Sequence, residues 1–213
     1  MRVCCGKLVR MLSDFDARER KILRRLNIPL KIQQFLDQEI RYNKEHEGDT
    51  CYSPRMVLRQ RTAHCLEGAM LAAAALEFHG RAPLIVDMEA VRDDDHVIAV
   101  YRVDDRWGAV AKSNYSGLRY RSAVYRTVRE LVMTYFDDYY NESGEATWRS
   151  CSRPVSLRRF DAFGWRTAEE PLWEIPKHRF RVRHFPLLGG PAARRRYYMD
   201  KRLYNAGLLG AIH

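Results

Sequence analysis

Apolar and polar positions along the chain change period several times, and each change marks an element. In residues 14–26 a charged majority is interrupted by Ile22, Leu23 and Leu26, which predicts a helix with those three turned inward. Asn27-Ile28-Pro29 ends it, and Pro29 suits the first turn of a second helix. There Ile32, Phe35, Leu36 and Ile40 recur at helical spacing, a stripe expected to pack on the core. Residues 44–50 are polar and predict a loop, after which Ser53-Pro54 reads as an N-cap and first helical position of a short helix reaching Leu58.

Residues 65–78 are an alanine-rich helical run, with Gly80 where a left-handed C-cap falls. The period then drops to that of strands. Residues 82–88 are apolar, 92–95 form an acidic loop, and 96–103 are β-branched and aromatic; a turn at Asp104-Asp105 leads into a returning strand over 106–112. Residues 124–140 place Val128, Leu131, Val132, Tyr135 and Phe136 on one side of an amphipathic helix. Residues 147–157 predict a strand edged by Pro154, with Cys151 packed inside. The fold class expected is α+β, with a cysteine-bearing helix packed on an antiparallel sheet. Residues 1–50 are expected to supply helices that pack on a core of residues 51–175, with 176–213 as an extension.

The chemistry concentrates where the alanine-rich helix begins. Cys65 sits at that helix N-terminus, where unpaired N–H groups and the positive end of the helix dipole favour the nucleophilic thiolate over the thiol. The plainer alternative is a small buried apolar residue. His64 adjoins Cys65, but neighbours along a helix diverge by about 100°, which argues against their pairing. Glu67 and His79 suit the dipole at the two ends of the helix. Asp93, Asp94 and Asp95 either hold His96 by charge or form a solvated turn.

A helix led by Cys65, a Gly80-Arg81-Ala82-Pro83 joint into a strand, and His96 opening the next strand together resemble the core of the transglutaminase-like branch of the papain-type cysteine enzymes. The likeness spans residues 54–114. It implies a papain/transglutaminase-like core in which Cys65 attacks a carboxamide carbonyl of a protein or peptide and His96 moves the proton. The family expects an aspartate a few residues past a tryptophan; here Trp107 is followed by Lys112-Ser113-Asn114, so Asn114 is the candidate to orient the imidazole. Gln60, five residues before Cys65, stands at a distance similar to that of the glutamine that papain-like enzymes aim at the oxyanion; the alternative is an exposed polar residue in the loop before the helix. Arg119 and Arg121 in the loop after Asn114 are candidates to wall a substrate cleft, unless that loop only packs its tyrosines. The resemblance implies no cofactor and no metal.

Composition adds compartment and charge. No run of 18 apolar residues is present and residues 1–7 lack an apolar signal core, so neither a membrane span nor a secretory signal is expected. Five cysteines without CxxC spacing point to a reducing, cytoplasmic setting and away from a disulfide framework or zinc site; Cys4 and Cys5 receive no role. The net charge is +10, and residues 176–213 carry nine Lys or Arg against one acid, Asp200. Lys177, Arg179, Arg181 and Arg183 alternate as on one face of a strand, with Phe180 and Val182 opposite, and Arg194-Arg195-Arg196-Tyr197-Tyr198 could grip phosphate or an acidic partner. A solvated tail is the alternative. Two functions therefore stand: a cysteine acyl-transfer enzyme, or a catalytically degenerate relative that binds an acidic partner or nucleic acid through its tail.

Overall fold

The computed structural model describes residues 14–46, 48–179 and 181–211. Cys4, Cys5 and the Phe180 position lie outside that set. Asp16 caps helix α1 (Ala17–Arg25) in a reciprocal capping box with Glu19. Helix α2 (Pro29–Gln38) begins on its proline, and helix α3 (Pro54–Gln60) is capped by Ser53, whose hydroxyl accepts from Met56 N–H. Two short parallel segments, β1 (Arg41–Tyr42) and β2 (Thr62–Ala63), pair just before helix α4 (Cys65–Phe78). That helix is closed by His79 and then by Gly80 at φ +82°, a conformation open to glycine.

From Leu66 to Glu77 every residue of α4 is buried. A helix apolar all round needs a layer on each side. One side is helical: Leu23 and Leu26, Ile32, Phe35 and Leu36, and Val57 and Leu58 share a core with it. The other side is the sheet. Strands β3 (Leu84–Ala90), β4 (His96–Val103), β5 (Arg106–Val110) and β6 (Arg121–Tyr125) run antiparallel in that order. Asp104 and Asp105 turn between β4 and β5 with φ of 46° and 60°, matching the right-handed twist of a two-residue hairpin. Val97, Ala99 and Tyr101 face α4, whereas Ile98 and Val100 join a second core with Leu131, Val132, Tyr135 and Trp148. The expected α+β class and the cysteine-bearing helix on an antiparallel sheet are both present.

The sheet continues on the far side of β3 through β8 (Trp148–Ser152), and β9 (Val155–Ser156) also pairs with β3. A further pair, β7 (Glu145–Ala146) and β11 (Tyr197–Tyr198), joins the C-terminal segment to the domain. Strand β10 (His184–Pro186) pairs with β8 and is followed by the buried Leu187, while Gly207 is buried against Tyr140. The C-terminal segment thus returns to the domain at His184–Pro186, Tyr197–Tyr198 and Gly207, while most of its described residues, Arg194 to Arg196 among them, stay exposed. Among the described residues no helix is long and apolar enough to cross a membrane.

Two local expectations are corrected. The helix expected over 124–140 is split: Val124 and Tyr125 extend the sheet, Thr127 caps a short α5 (Val128–Met133), and a tight turn follows at Phe136–Asp138. Edge pairing with β5 overrides the local helical period there. Of the strand expected over 177–183, residues 177–179 instead end helix α6 (Glu174–Arg179), which is entered with Ile175 buried, residues 181–183 form a turn, and pairing begins only at His184.

Buried charges on this scaffold are paired. Glu77 receives Arg158 Nε at 2.8 Å and Arg166 Nη2 at 2.6 Å, and Glu19 receives Arg55 Nε at 2.9 Å. Lys112, also buried, donates from Nζ to the Leu36 and Ile40 carbonyls at 2.7 and 2.5 Å, tying the end of α2 to the strand edge. Burial lowers its pKa to about 8, outweighing the nearby Asp37. Its stem lies directly on Gly68: a Cβ built there would stand 2.3 Å from Lys112 Cβ. Gly68→Ala should therefore lower stability by about 1–3 kcal/mol in urea titration through overpacking. A gain of up to about 1 kcal/mol, the ordinary helix-interior benefit of alanine, would show that α4 has room to move off Lys112.

Candidate active site

Cys65 is the first residue of α4, and the turn before it sets what surrounds the thiol. His64 is the N-cap with extended backbone (φ −86°, ψ −173°), so it lies outside the helix and the 100° separation expected for helical neighbours does not apply. The pairing argued against from sequence is therefore available. The His64 N–H donates to Glu67 Oε2 at 2.9 Å. Glu67, fully buried, also accepts from Thr50 Oγ1 and Tyr52 N–H, both at 2.7 Å, which binds the preceding loop to the helix start. Its carboxylate complements the positive helix end and needs all three donors to remain buried.

His96 approaches from the first position of β4, paired with Met88 of β3. It is buried, its ring set edge-on to Tyr139 with centroids 6.3 Å apart. Its Nε2 lies 3.0 Å from the Leu118 carbonyl oxygen, an acceptor only, which fixes the hydrogen on Nε2 and leaves Nδ1 for the thiol. Cys65 Sγ lies 3.7 Å from the Asp95 carbonyl.

Electrostatics at the thiol are set by two histidines. Burial alone would raise the Cys65 pKa; hydrogen bonds from His64 and His96 and the charges of both rings reverse that and bring it down to about 5. Burial likewise disfavours an imidazolium at His64, but the Cys65 sulfur, Glu67 and Glu45 outweigh it and raise that pKa to about 9. His64 Nε2 faces the Thr50 carbonyl at 3.2 Å, and Nδ1 faces Leu66 N–H at 3.3 Å. The latter contact is long, and it is the one that charging of the ring gives up. The favoured charge state is thiolate beside imidazolium. Tyr42, held in its phenol form by burial and by the thiolate charge, is a further neighbour.

These groups open on a cavity of about 530 Å³ lined by Tyr42, Cys65, His64, His96, Asn114 and Tyr140 among others. Cys65, His96 and Asn114 are thus brought together. The oxygen that meets His96 Nε2 is nevertheless the Leu118 carbonyl rather than a side chain at the third position, which a backbone acceptor supplies without any sequence signature. Gln60 is exposed at the end of α3 and lies outside the cavity lining. Left-handed Arg61 (φ 57°) turns the chain between it and Cys65, so spacing alone did not carry it to the thiol. Cys65, as the first helical residue, has an N–H with no intrahelical acceptor.

Arg119 and Arg121 are also outside the lining. Arg119 donates to the Ser113 carbonyl at 3.2 Å and faces Asp37, whereas Arg121 stacks on Tyr135 at 4.0 Å and pairs with Asp138 at 2.9 Å. Both are spent on bracing the loop. In the acidic run Asp93 accepts from Thr147 Oγ1 at 2.6 Å and Asp95 from Ala90 N–H at 2.9 Å, bonds that stiffen the approach to β4. His79 Nε2 lies 2.8 Å from the Leu23 carbonyl, a structural tie. Sequence reasoning missed His64 as a thiol partner; the signal was a polar residue three positions before Glu67, the spacing of a capping box.

Among the described residues no group of three His, Cys, Asp or Glu side chains is placed to hold a metal ion. No family model matches the chain, and the search of curated proteins found no matching sequence. The geometry yields a direct test of the oxyanion assignment. Gln60→Ala should leave the alkylation rate of Cys65 and any acyl transfer within about two-fold of wild type, whereas loss of one oxyanion donor would cost about 10²-fold or more in kcat.

Proposed function

We propose that the chain is a transglutaminase-like cysteine enzyme that cleaves or exchanges a carboxamide through a thioester on Cys65. The observation that supports this reading is the convergence on one thiol, at a helix N-terminus and in an open cavity, of two imidazoles that stabilise its anion. A structural cysteine needs neither.

In this reading the Cys65 thiolate attacks the carbonyl carbon, a C–S bond forms, and the developing oxyanion turns toward the Cys65 N–H. His96, anchored by Nε2 on Leu118 and holding on Nδ1 the proton that left the Cys65 thiol, gives that proton to the amide nitrogen as the C–N bond breaks and the amine departs. Water or a second amine then attacks the thioester, His96 takes its proton, and the C–S bond breaks to return the thiolate. His64 remains in place as the N-cap, its charge lowering the cost of each thiolate state. Choice between hydrolysis and transfer rests with whichever acceptor reaches the thioester. The second reading, a degenerate relative that binds an acidic partner or nucleic acid, draws on the exposed Arg194, Arg195 and Arg196.

p-Nitrophenyl acetate separates the two. The enzyme reading predicts a stoichiometric burst of nitrophenolate, an acetyl group on the Cys65 peptide by mass spectrometry, and its release by hydroxylamine. His96→Ala should slow the burst by about 10²-fold or more. Slow acetylation scattered over lysines, unchanged in Cys65→Ala, would leave only the binding reading.

A further inference from the structure

The chain has a net charge of +10, yet the cavity in front of Cys65 is acidic. Glu45, Asp49, Asp93, Asp94, Asp95 and Glu142 line it, against Lys44 and the His64 imidazolium, which stands beside the thiolate and Glu45. Elsewhere in the fold carboxylates are taken up by arginine: Glu19 by Arg55, Glu77 by Arg166, Asp138 by Arg121, Glu145 by Arg92. With 37 Lys and Arg available for 27 acids, that is the default outcome. The cavity departs from it. Among the described residues no Lys or Arg forms an ion pair with Asp49, Asp93, Asp94 or Glu142. Where these acids are bonded, as Asp93 is to Thr147 Oγ1 at 2.6 Å, the donor is neutral; burial raises the Asp93 pKa. Asp49, Asp94 and Glu142 are exposed.

The same wall carries aromatic faces. Tyr115 packs against Tyr140 with the rings tilted and centroids 5.0 Å apart, Tyr42 lies by the thiol, and Trp173 is 40% exposed at the edge. Aromatic faces attract cations, and carboxylates at a cleft mouth focus their field into it. Carboxylates left without basic partners, in a protein with basic residues in excess, are available to a ligand's positive charge.

We propose that the cavity selects a cationic substrate: a carboxamide carried on a lysine- or arginine-rich peptide segment, whose charge docks on Asp94, Asp49 and Glu142 while the amide reaches Cys65. The inference rests on Cys65 being the nucleophile of this cavity, and its test is chosen to fail separately. The probes are three thiol reagents: a methanethiosulfonate bearing a trimethylammonium group, one bearing a sulfonate, and neutral iodoacetamide. Modification of Cys65 is followed by mass spectrometry on the full chain, with each rate divided by that of a small free thiol.

At low ionic strength the cationic reagent should outrun the anionic one at Cys65 by about 10-fold or more, within the 10–10³ range of electrostatic focusing. The ratio should fall several-fold in ~0.5 M salt through screening. It should also fall at least about three-fold in Asp94→Asn with Glu142→Gln, both exposed positions whose loss leaves the core intact. Equal corrected rates, or a preference for the anion, would overturn the proposal. A thiol slow toward iodoacetamide that still prefers the cation would count against the nucleophile and leave the charge selectivity standing.

Discussion

The structure depends on the burial of α4 from Leu66 to Glu77. A helix with no solvent face fixes its neighbours on every side: α1 to α3 cover one flank and the β3–β4–β5 sheet the other, and the fit is close enough that Gly68 rests on the stem of Lys112. Because the helix cannot slide, its N-terminus is held at the level where β4 begins. Cys65 and His96 meet for that reason, although they are contributed by different layers. Glu67 serves the same end from within the first turn, gathering the Thr50–Tyr52 loop and His64 around one carboxylate.

Much of this was legible in the sequence, because the signals were local and strong. The alanine-rich run with Gly80 after it, the Ser53-Pro54 cap, and the Asp104-Asp105 hairpin each carry their structure in their own chemistry. The position of His96 at a strand start followed from β-branched and aromatic residues behind it. Elements whose state depends on a distant partner were not legible. Residues 124–140 have a helical period, yet the edge of β5 claims Val124 and Tyr125; the alternating charges after Pro176 imitate a strand, but Lys177 and Arg179 lie in a helix entered before them and Arg181 and Arg183 in the turn that follows.

The site divides in the same way. Cys65 and His96 were identifiable as residue types in order, and both reach the cavity together with Asn114. Gln60 did not, because a left-handed turn at Arg61 redirects the chain over a short span that spacing arguments treat as uniform. His64 was discounted on helical geometry that it does not have, since an N-cap has extended backbone. The anchor of His96 is a main-chain oxygen, which no sequence pattern announces. Arg119 and Arg121 were drawn off by Asp37, Asp138 and the face of Tyr135, so both are structural ties.

The central claim is that Cys65 is a thiolate at neutral pH because two imidazoles hold it so. The most direct measurement is the pH dependence of Cys65 alkylation by iodoacetamide, followed on the Cys65 peptide in the wild type, His96→Ala and His64→Ala. The account predicts a wild-type midpoint near 5 with a plateau through neutral pH, and a midpoint displaced upward toward the ordinary thiol value of about 8.5 when either ring is removed. A wild-type midpoint already at the ordinary value, indifferent to both substitutions, would contradict it and return Cys65 to the buried residues of the core.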